Sequence, residues 1–147
     1  MNLDDILEQW QSECSIDNMH LDITSRDTPI LHAKYLRLLS QAKLLHKRAE
    51  QKQQTLLKQK FLYYQGKMDQ ESIQKLGWEP DPFDGLKIMR GDMSYYYDSD
   101  TEIQKSVAQI EYYKTIIDTL KEIVDSLKWR HQTVGNIIKW KVFEAGG

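Results

Sequence analysis

Apolar residues recur along most of this chain at steps of three and four, the spacing of one helical face. Leu3, Ile6, Leu7 and Trp10 trace a short first helix whose polar face is acidic. From residue 11 to 27 the pattern loosens among Ser, Asp, Asn and Thr, which reads as a linker kept negative by Asp17, Asp22 and Asp27. Thr28 and Pro29 then suit the opening of a second helix: Thr28 as N-cap, and Pro29 at the first helical position, where its missing N–H costs nothing. Within it, Leu31, Tyr35, Leu38, Ala42, Leu45 and Ala49 alternate steps of four and three, and the same series runs on through Lys52, Leu56, Gln59 and Tyr63. Such a heptad seam predicts packing on another helix. It weakens at Lys52 and Gln59, so the distal part is the place to expect a ligand. Gly66 suits the helix stop.

Residues 67–98 break the pattern. Gly77, Pro80, Pro82, Gly85 and Gly91, with interspersed Asp, predict a turn-rich connection. Trp78 and Phe83 read as anchors that pin this loop to the helices. Tyr95, Tyr96 and Tyr97 read as packing groups rather than a stacking platform, because Asp92, Asp98 and Asp100 beside them would repel a phosphate backbone. Ser99 and Glu102 form a capping-box pair that opens a last long helix. Its seam passes through Ile103, Ile110, Tyr113, Ile117, Leu120, Val124 and Leu127 to His131, Val134 and Ile138. Sustained heptads predict a coiled coil. Trp129, Trp140, Val142 and Phe143 add more apolar surface than one helix pair hides, which marks a self-association surface. The residues assigned to it are Ile117, Leu120, Val124, Leu127, Val134, Ile138, Trp140 and Phe143.

The expected fold is therefore all-α: a single helical domain over residues 1–147, with an acidic N-terminal helix and linker (1–29), a basic helix (30–66), a Pro/Gly/Trp loop (67–98) and an oligomerisation helix (99–147). A length of 147 residues with 40% hydrophobic and 29% charged positions suits long amphipathic helices. The lone Cys14 excludes an internal disulfide and fits a reducing cytoplasm. An acidic start and the lack of any apolar stretch near 18 residues point to a soluble, unprocessed protein away from membranes.

Charge changes the picture of the second helix. Between His32 and Lys67 stand Lys34, Arg37, Lys43, Lys47, Arg48, Lys52, Lys58, Lys60 and Lys67 against the single Glu50, a net +8 in a chain of net −2, leaving −10 for everything else. Such a block is the footprint of a polyanion partner or of a solvated helix face. Tyr63 and Tyr64 at its end add ring faces on which unpaired bases can stack. Lys58 and Lys60 would pair phosphates, Tyr64 or Tyr63 would stack a base, and Lys67, Lys52, Lys47, Arg48 and Lys43 would extend the track. Tyr63 lies on the seam, which makes Tyr64 the better stacking group. The rival reading is a coiled-coil scaffold or assembly chaperone whose basic helix docks an acidic protein surface and ignores DNA.

Catalytic constellations are missing: there is no Gly-rich phosphate loop and no His-Glu-x-x-His helix. The histidines at 20, 32, 46 and 131 are scattered, and His131 reads as a seam residue rather than a ligand. Neither a cofactor nor a metal is expected, and the chain does not read as an enzyme.

Leu57-Lys58-Gln59-Lys60-Phe61-Leu62-Tyr63-Tyr64-Gln65-Gly66 and the terminal Phe143-Glu144-Ala145-Gly146 resemble the UvsY family, the recombination mediators of T-even-like bacteriophages. The resemblance runs from end to end, with the acidic opening helix, Lys34-Tyr35-Leu36 and the amphipathic C-terminal helix in the same order. It implies a helical subunit in a closed homo-oligomeric ring of six or seven copies. It also implies single-stranded DNA binding and loading of a RecA-like phage recombinase of the UvsX type onto strands covered by the phage single-strand-binding protein, in the cytoplasm of the infected host. The carry-over places DNA contact on Lys58 and Lys60. The family more often has Arg at the second position, and Lys keeps that charge without the planar fork.

Overall fold

Asn2 starts the first helix: its side chain accepts hydrogen bonds from the backbone N–H groups of Asp4 at 2.8 Å and Asp5 at 3.3 Å, and those two acids occupy the first turn, where the helix dipole favours them. The computed structural model describes residues 1–147 as six α-helices and no strand. These are α1 (Leu3–Glu13), α2 (Leu21–Tyr64), α3 (Gln70–Leu76), α4 (Met93–Ser99, entered through a short 3₁₀ turn at Arg90–Asp92), α5 (Thr101–Lys128) and α6 (Arg130–Glu144). The chain divides into two compact units: Met1–Leu45 with Tyr113–Gly147, and His46–Tyr112.

In the first unit, Ile6 of α1, Tyr35, Leu39 and Ala42 of α2, and Ile116, Leu120, Ile123, Val124 and Leu127 of α5 form one core. Tyr35, Ile116 and Leu120 are completely enclosed. Trp10 meets Tyr35 edge-on at 5.5 Å between ring centroids. Glu13, at the end of α1, pairs with Lys34 and accepts a 3.2 Å hydrogen bond from the Tyr35 hydroxyl, so α1 is held to α2 by polar as well as apolar contacts.

Several expectations need correction. α2 begins at Leu21, not near residue 30, so the expected 11–27 linker shrinks to a short connection. Thr28 is not an N-cap: its hydroxyl donates to the Thr24 carbonyl inside the helix, and Pro29 lies within α2. Ser25 and Pro29 are both exposed, so the carbonyl that Pro29 leaves without a partner stays in water. Ser99 does not cap the last long helix. It closes α4, its hydroxyl donating to Tyr95 O at 2.8 Å, and Asp100 caps α5 instead. The 67–98 connection contains α3 and most of α4.

The 99–147 helix is broken at Trp129, where no Gly or Pro marks the spot. Arg130 is buried, and its guanidinium donates to Ser15 O at 3.0 Å, a tertiary contact that turns the chain. After the break Val134 faces inward while His131 and Ile138 are exposed, so the seam does not pass straight through. Ile117, Leu120, Val124 and Leu127, assigned to contacts between copies, lie in this chain's own core. Val134 is buried as well, whereas Ile138, Trp140 and Phe143 remain exposed on α6.

Leu120 has no accessible surface. Leu120→Ala is expected to lower the stability of the first unit by about 2–5 kcal/mol through reduced burial and the cavity left behind, read as a reduced midpoint in urea denaturation followed by circular dichroism.

Candidate nucleic-acid interface

The second unit is organised around the end of α2. Gly66 takes the left-handed conformation, φ 68°, and the N–H groups of Gly66 and Lys67 return to Tyr63 O and Leu62 O at 3.1 and 2.9 Å, a Schellman stop. Gly66 therefore ends the helix as its sequence predicts. Next comes α3, capped by Asp69, whose side chain accepts from Ser72 N. Past its end Trp78 N–H bonds Ile73 O at 3.1 Å, which fixes where the indole emerges.

Lys60 lies at the centre of the polar network in this unit. Its ammonium is 3.0 Å from Asp100 Oδ2 and 3.5 Å from Glu102 Oε1, and stands 4.0 Å from the centroid of the Trp78 ring. Only 5% of Lys60 is exposed. Trp78 Nε1 donates to Glu102 Oε1 at 2.6 Å, so cation, indole and carboxylate form a closed set. Asp100 has two duties: Oδ1 accepts the N–H groups of Glu102 and Ile103 at 2.9 and 3.0 Å, capping α5, while Oδ2 takes Lys60 and the Tyr64 hydroxyl. The Tyr63 hydroxyl donates to Glu79 O at 2.6 Å, and the Tyr97 hydroxyl to Leu57 O at 3.1 Å. Tyr64 contacts Phe83, Tyr96 and Tyr97 at ring-centroid distances of 5.7, 5.8 and 6.5 Å. Trp78 and Phe83 are anchors, and Tyr96 and Tyr97 packing groups, in line with their sequence reading; Tyr95 stays exposed.

Burial acts to raise the Asp100 carboxyl. The Tyr64 hydroxyl, the Ile103 N–H and the Lys60 ammonium outweigh it and hold that carboxyl below its ordinary value. Tyr64 is pushed up, first by burial and then by its hydrogen bond to the Asp100 carboxylate, so its hydroxyl keeps its proton.

The predicted site residues thus separate into two groups. Lys60 and Tyr63 are buried and Tyr64 is half-buried, with polar atoms already engaged inside the chain. Lys60 is in this respect a correction to the reading of it as a free phosphate contact. Lys47, Arg48, Lys52, Lys58 and Lys67 are exposed. Lys47 leans on Glu50 at 3.7 Å, and the other four make no ion pair. At 3.6 residues per turn, Lys47 and Lys58 fall opposite Ala49 and Lys60, while Arg48 and Lys52 occupy one flank. There they line a shallow depression with Gln51, Thr55, Leu56 and Gln59. Lys43, likewise exposed, belongs to the first unit's stretch of α2. Asp100 and Glu102 lie far from Lys60 in the chain, and no local pattern marks them as its partners. The available signal was spacing: stepping 3.6 residues from the enclosed Tyr35 arrives at Lys60.

Residues 9–147 match the family model described as the recombination, repair and ssDNA binding protein UvsY. The chain belongs to the UvsY family. It is 24% identical over 146 residues to the recombination protein uvsY of Enterobacteria phage T4, covering 99% of each chain. Two crystal structures of the bacteriophage T4 recombination mediator protein UvsY have the same fold. One superposes with a TM-score of 0.81 at 23% identity, covering 99% of this chain and 98% of that one. The other, in a different lattice, superposes at 0.79 with 22% identity, covering 98% and 99%. The family is thus one of recombination, repair and single-stranded DNA binding, and the all-α reading and the family resemblance are borne out. No helix is long and apolar enough to cross a membrane.

Removing one partner of a buried pair leaves an uncompensated charge. Asp100→Ala is therefore expected to cost about 3–5 kcal/mol and to fray the start of α5, measured by urea denaturation and hydrogen exchange. Because the folded-state carboxyl is depressed, its stabilisation is fully present above the unfolded value of 3.8 and disappears as pH falls through the lower folded value. An acid titration of the wild type should show this decline, and Asp100→Ala should lack that component.

Proposed function

We propose that this protein is a non-enzymatic recombination mediator. It holds single-stranded DNA on the exposed cations of α2 and promotes loading of a RecA-like phage recombinase of the UvsX type onto strands covered by the phage single-strand-binding protein, in the cytoplasm of the infected host. The observation that carries the DNA-binding step is the separation within the basic helix: Lys60 is neutralised inside, while Arg48, Lys52, Lys58 and Lys67 present free positive charge outside. Cations of this kind grip a phosphate backbone without reading sequence, as a mediator must if it is to hold any strand. Lys47 and Lys43 extend the track. Lys60, Tyr63 and Tyr64 position it by fixing the helix end from which Lys58 and Lys67 project.

Self-association completes the reading. Trp140 and Phe143 stack on each other at 5.4 Å yet remain largely exposed, and Ile138 and Val142 are about half exposed. Contiguous apolar surface of this kind supports contact between copies, in a ring of six or seven subunits. A strand held by one subunit meets the next at high effective concentration, so each site can be weak and still yield the strand to the recombinase.

The test is fluorescence anisotropy of a labelled single-stranded oligonucleotide across a salt series. Wild type should bind with a steep log-log salt slope. Lys52→Ala/Lys58→Ala should lower both affinity and slope, by about 0.7 for each phosphate that is no longer neutralised, while helicity is retained. Absence of salt-sensitive binding in the wild type would make α2 a protein-docking face and overturn the reading.

A further inference from the structure

Beside the end of α2 the second unit holds a half-open cavity of about 290 Å³. Its walls include Tyr64, Phe83, Pro80, Pro82, Leu86 and Lys87. The hydroxyls of Tyr63 and Tyr64 are already bound to Glu79 O and Asp100, so both tyrosines offer ring surface rather than hydrogen bonds. Phe83 is set edge-on to Tyr96 at 5.3 Å, which fixes the plane of its ring.

The far wall is built by a tight turn. Asp84 and Gly85 both have positive φ, 50° and 82°, and Leu86 N–H returns to Phe83 O at 2.9 Å, the arrangement of a type I′ turn that Asp-Gly favours. Asp81 is the carboxylate on the cavity wall, and its Oδ1 accepts from Gly85 N–H at 2.9 Å. Ile88 N–H then bonds Tyr64 O at 3.3 Å, tying the turn back to α2. Lys87 lies along Gly66, its Cε 3.8 Å from where a Cβ on that glycine would sit, and Lys67 comes directly after Gly66. Neither lysine makes an ion pair, and both are exposed.

We propose that this cavity is a binding site for one unpaired nucleobase of single-stranded DNA, stacked against Phe83 and Tyr64 with the flanking phosphates on Lys87 and Lys67. Aromatic and proline surface whose tyrosine hydroxyls are already engaged suits the face of a heterocycle, and Lys87 on the wall, with Lys67 one residue beyond the lining Gly66, suits the backbone that carries it. A volume of 290 Å³ is about ten times a water's share of the liquid, room for one planar base. The inference rests on the DNA-binding function proposed above and adds to it that bases, as well as phosphates, contribute to binding.

The experiment compares an oligodeoxythymidine with an abasic strand of the same length, for wild type, Phe83→Leu and Phe83→Tyr, across the same salt series. Wild type should prefer the base-bearing strand by about tenfold, the scale of one stacked base. Phe83→Leu, which keeps apolar volume but removes the ring, should abolish that preference and retain the salt slope. Phe83→Tyr should restore it. Equal affinity of the wild type for both strands, or a preference that survives Phe83→Leu, would overturn the base site and leave the phosphate track intact. Absence of salt-sensitive binding to either strand in the wild type would overturn the track, and the base site with it.

Discussion

The ammonium of Lys60 and the carboxylate of Asp100, 3.0 Å apart and both shielded from solvent, are the contact on which the second unit depends. A charge moved out of water is stable only where geometry and further hydrogen bonds replace its hydration. Here Trp78 covers the cation, Glu102 shares it, and Tyr64 together with two backbone N–H groups completes the coordination of Asp100. Through these groups the end of α2, the start of α5 and the loop carrying Trp78 are fixed by one polar centre. The aromatic cluster around Tyr64 packs against it, so the tyrosines next to the basic track are structural as well as chemically suited to bases.

This arrangement divides one basic helix into two kinds of cation. Lys60 has surrendered its solvent and its free charge to the fold, and contributes little field outside. Lys58, two residues earlier, points to water because two residues is more than half a helical turn. A cation that must meet a phosphate backbone has to remain free and hydrated until the strand arrives, since the release of counterions from that strand drives binding. A cation buried beside two carboxylates cannot serve that purpose without first breaking the centre that holds the helix end in place. The exposed residues carry the electrostatic work and the buried one keeps them in position.

Much of this was legible in the chain itself. The all-α fold came from the three-and-four spacing, Gly66 from its place after the last periodic residue, and the family from the segment around Lys58 to Gly66 joined to the Phe143-Glu144-Ala145-Gly146 end. The misplaced seam of α2 has a geometric cause. A heptad count of 3.5 places Lys52 and Gln59 on the seam, whereas an undistorted helix of 3.6 residues per turn drifts away from that count. From Tyr35 it reaches positions 39, 42, 46, 49, 53, 57 and 60, none of them exposed. Over a helix as long as α2 the drift becomes a whole residue, enough to exchange Lys60 for Gln59 on the inner face. The break at Trp129 and the cap at Asp100 were hidden for another reason. Each is made by tertiary partners, Ser15 for Arg130 and Lys60 for Asp100, that local spacing does not reveal.

The most direct test of the buried role of Lys60 is to remove both charges together while keeping the cap, in Lys60→Met/Asp100→Asn, and to measure urea stability beside the salt dependence of single-stranded DNA binding. The double variant should recover most of the stability that Asp100→Asn alone forfeits, because no unpaired charge is left inside. Its DNA-binding salt slope should equal that of the wild type. A slope reduced as far as that of Lys58→Ala, in a variant that remains folded, would place Lys60 on the DNA and contradict the account.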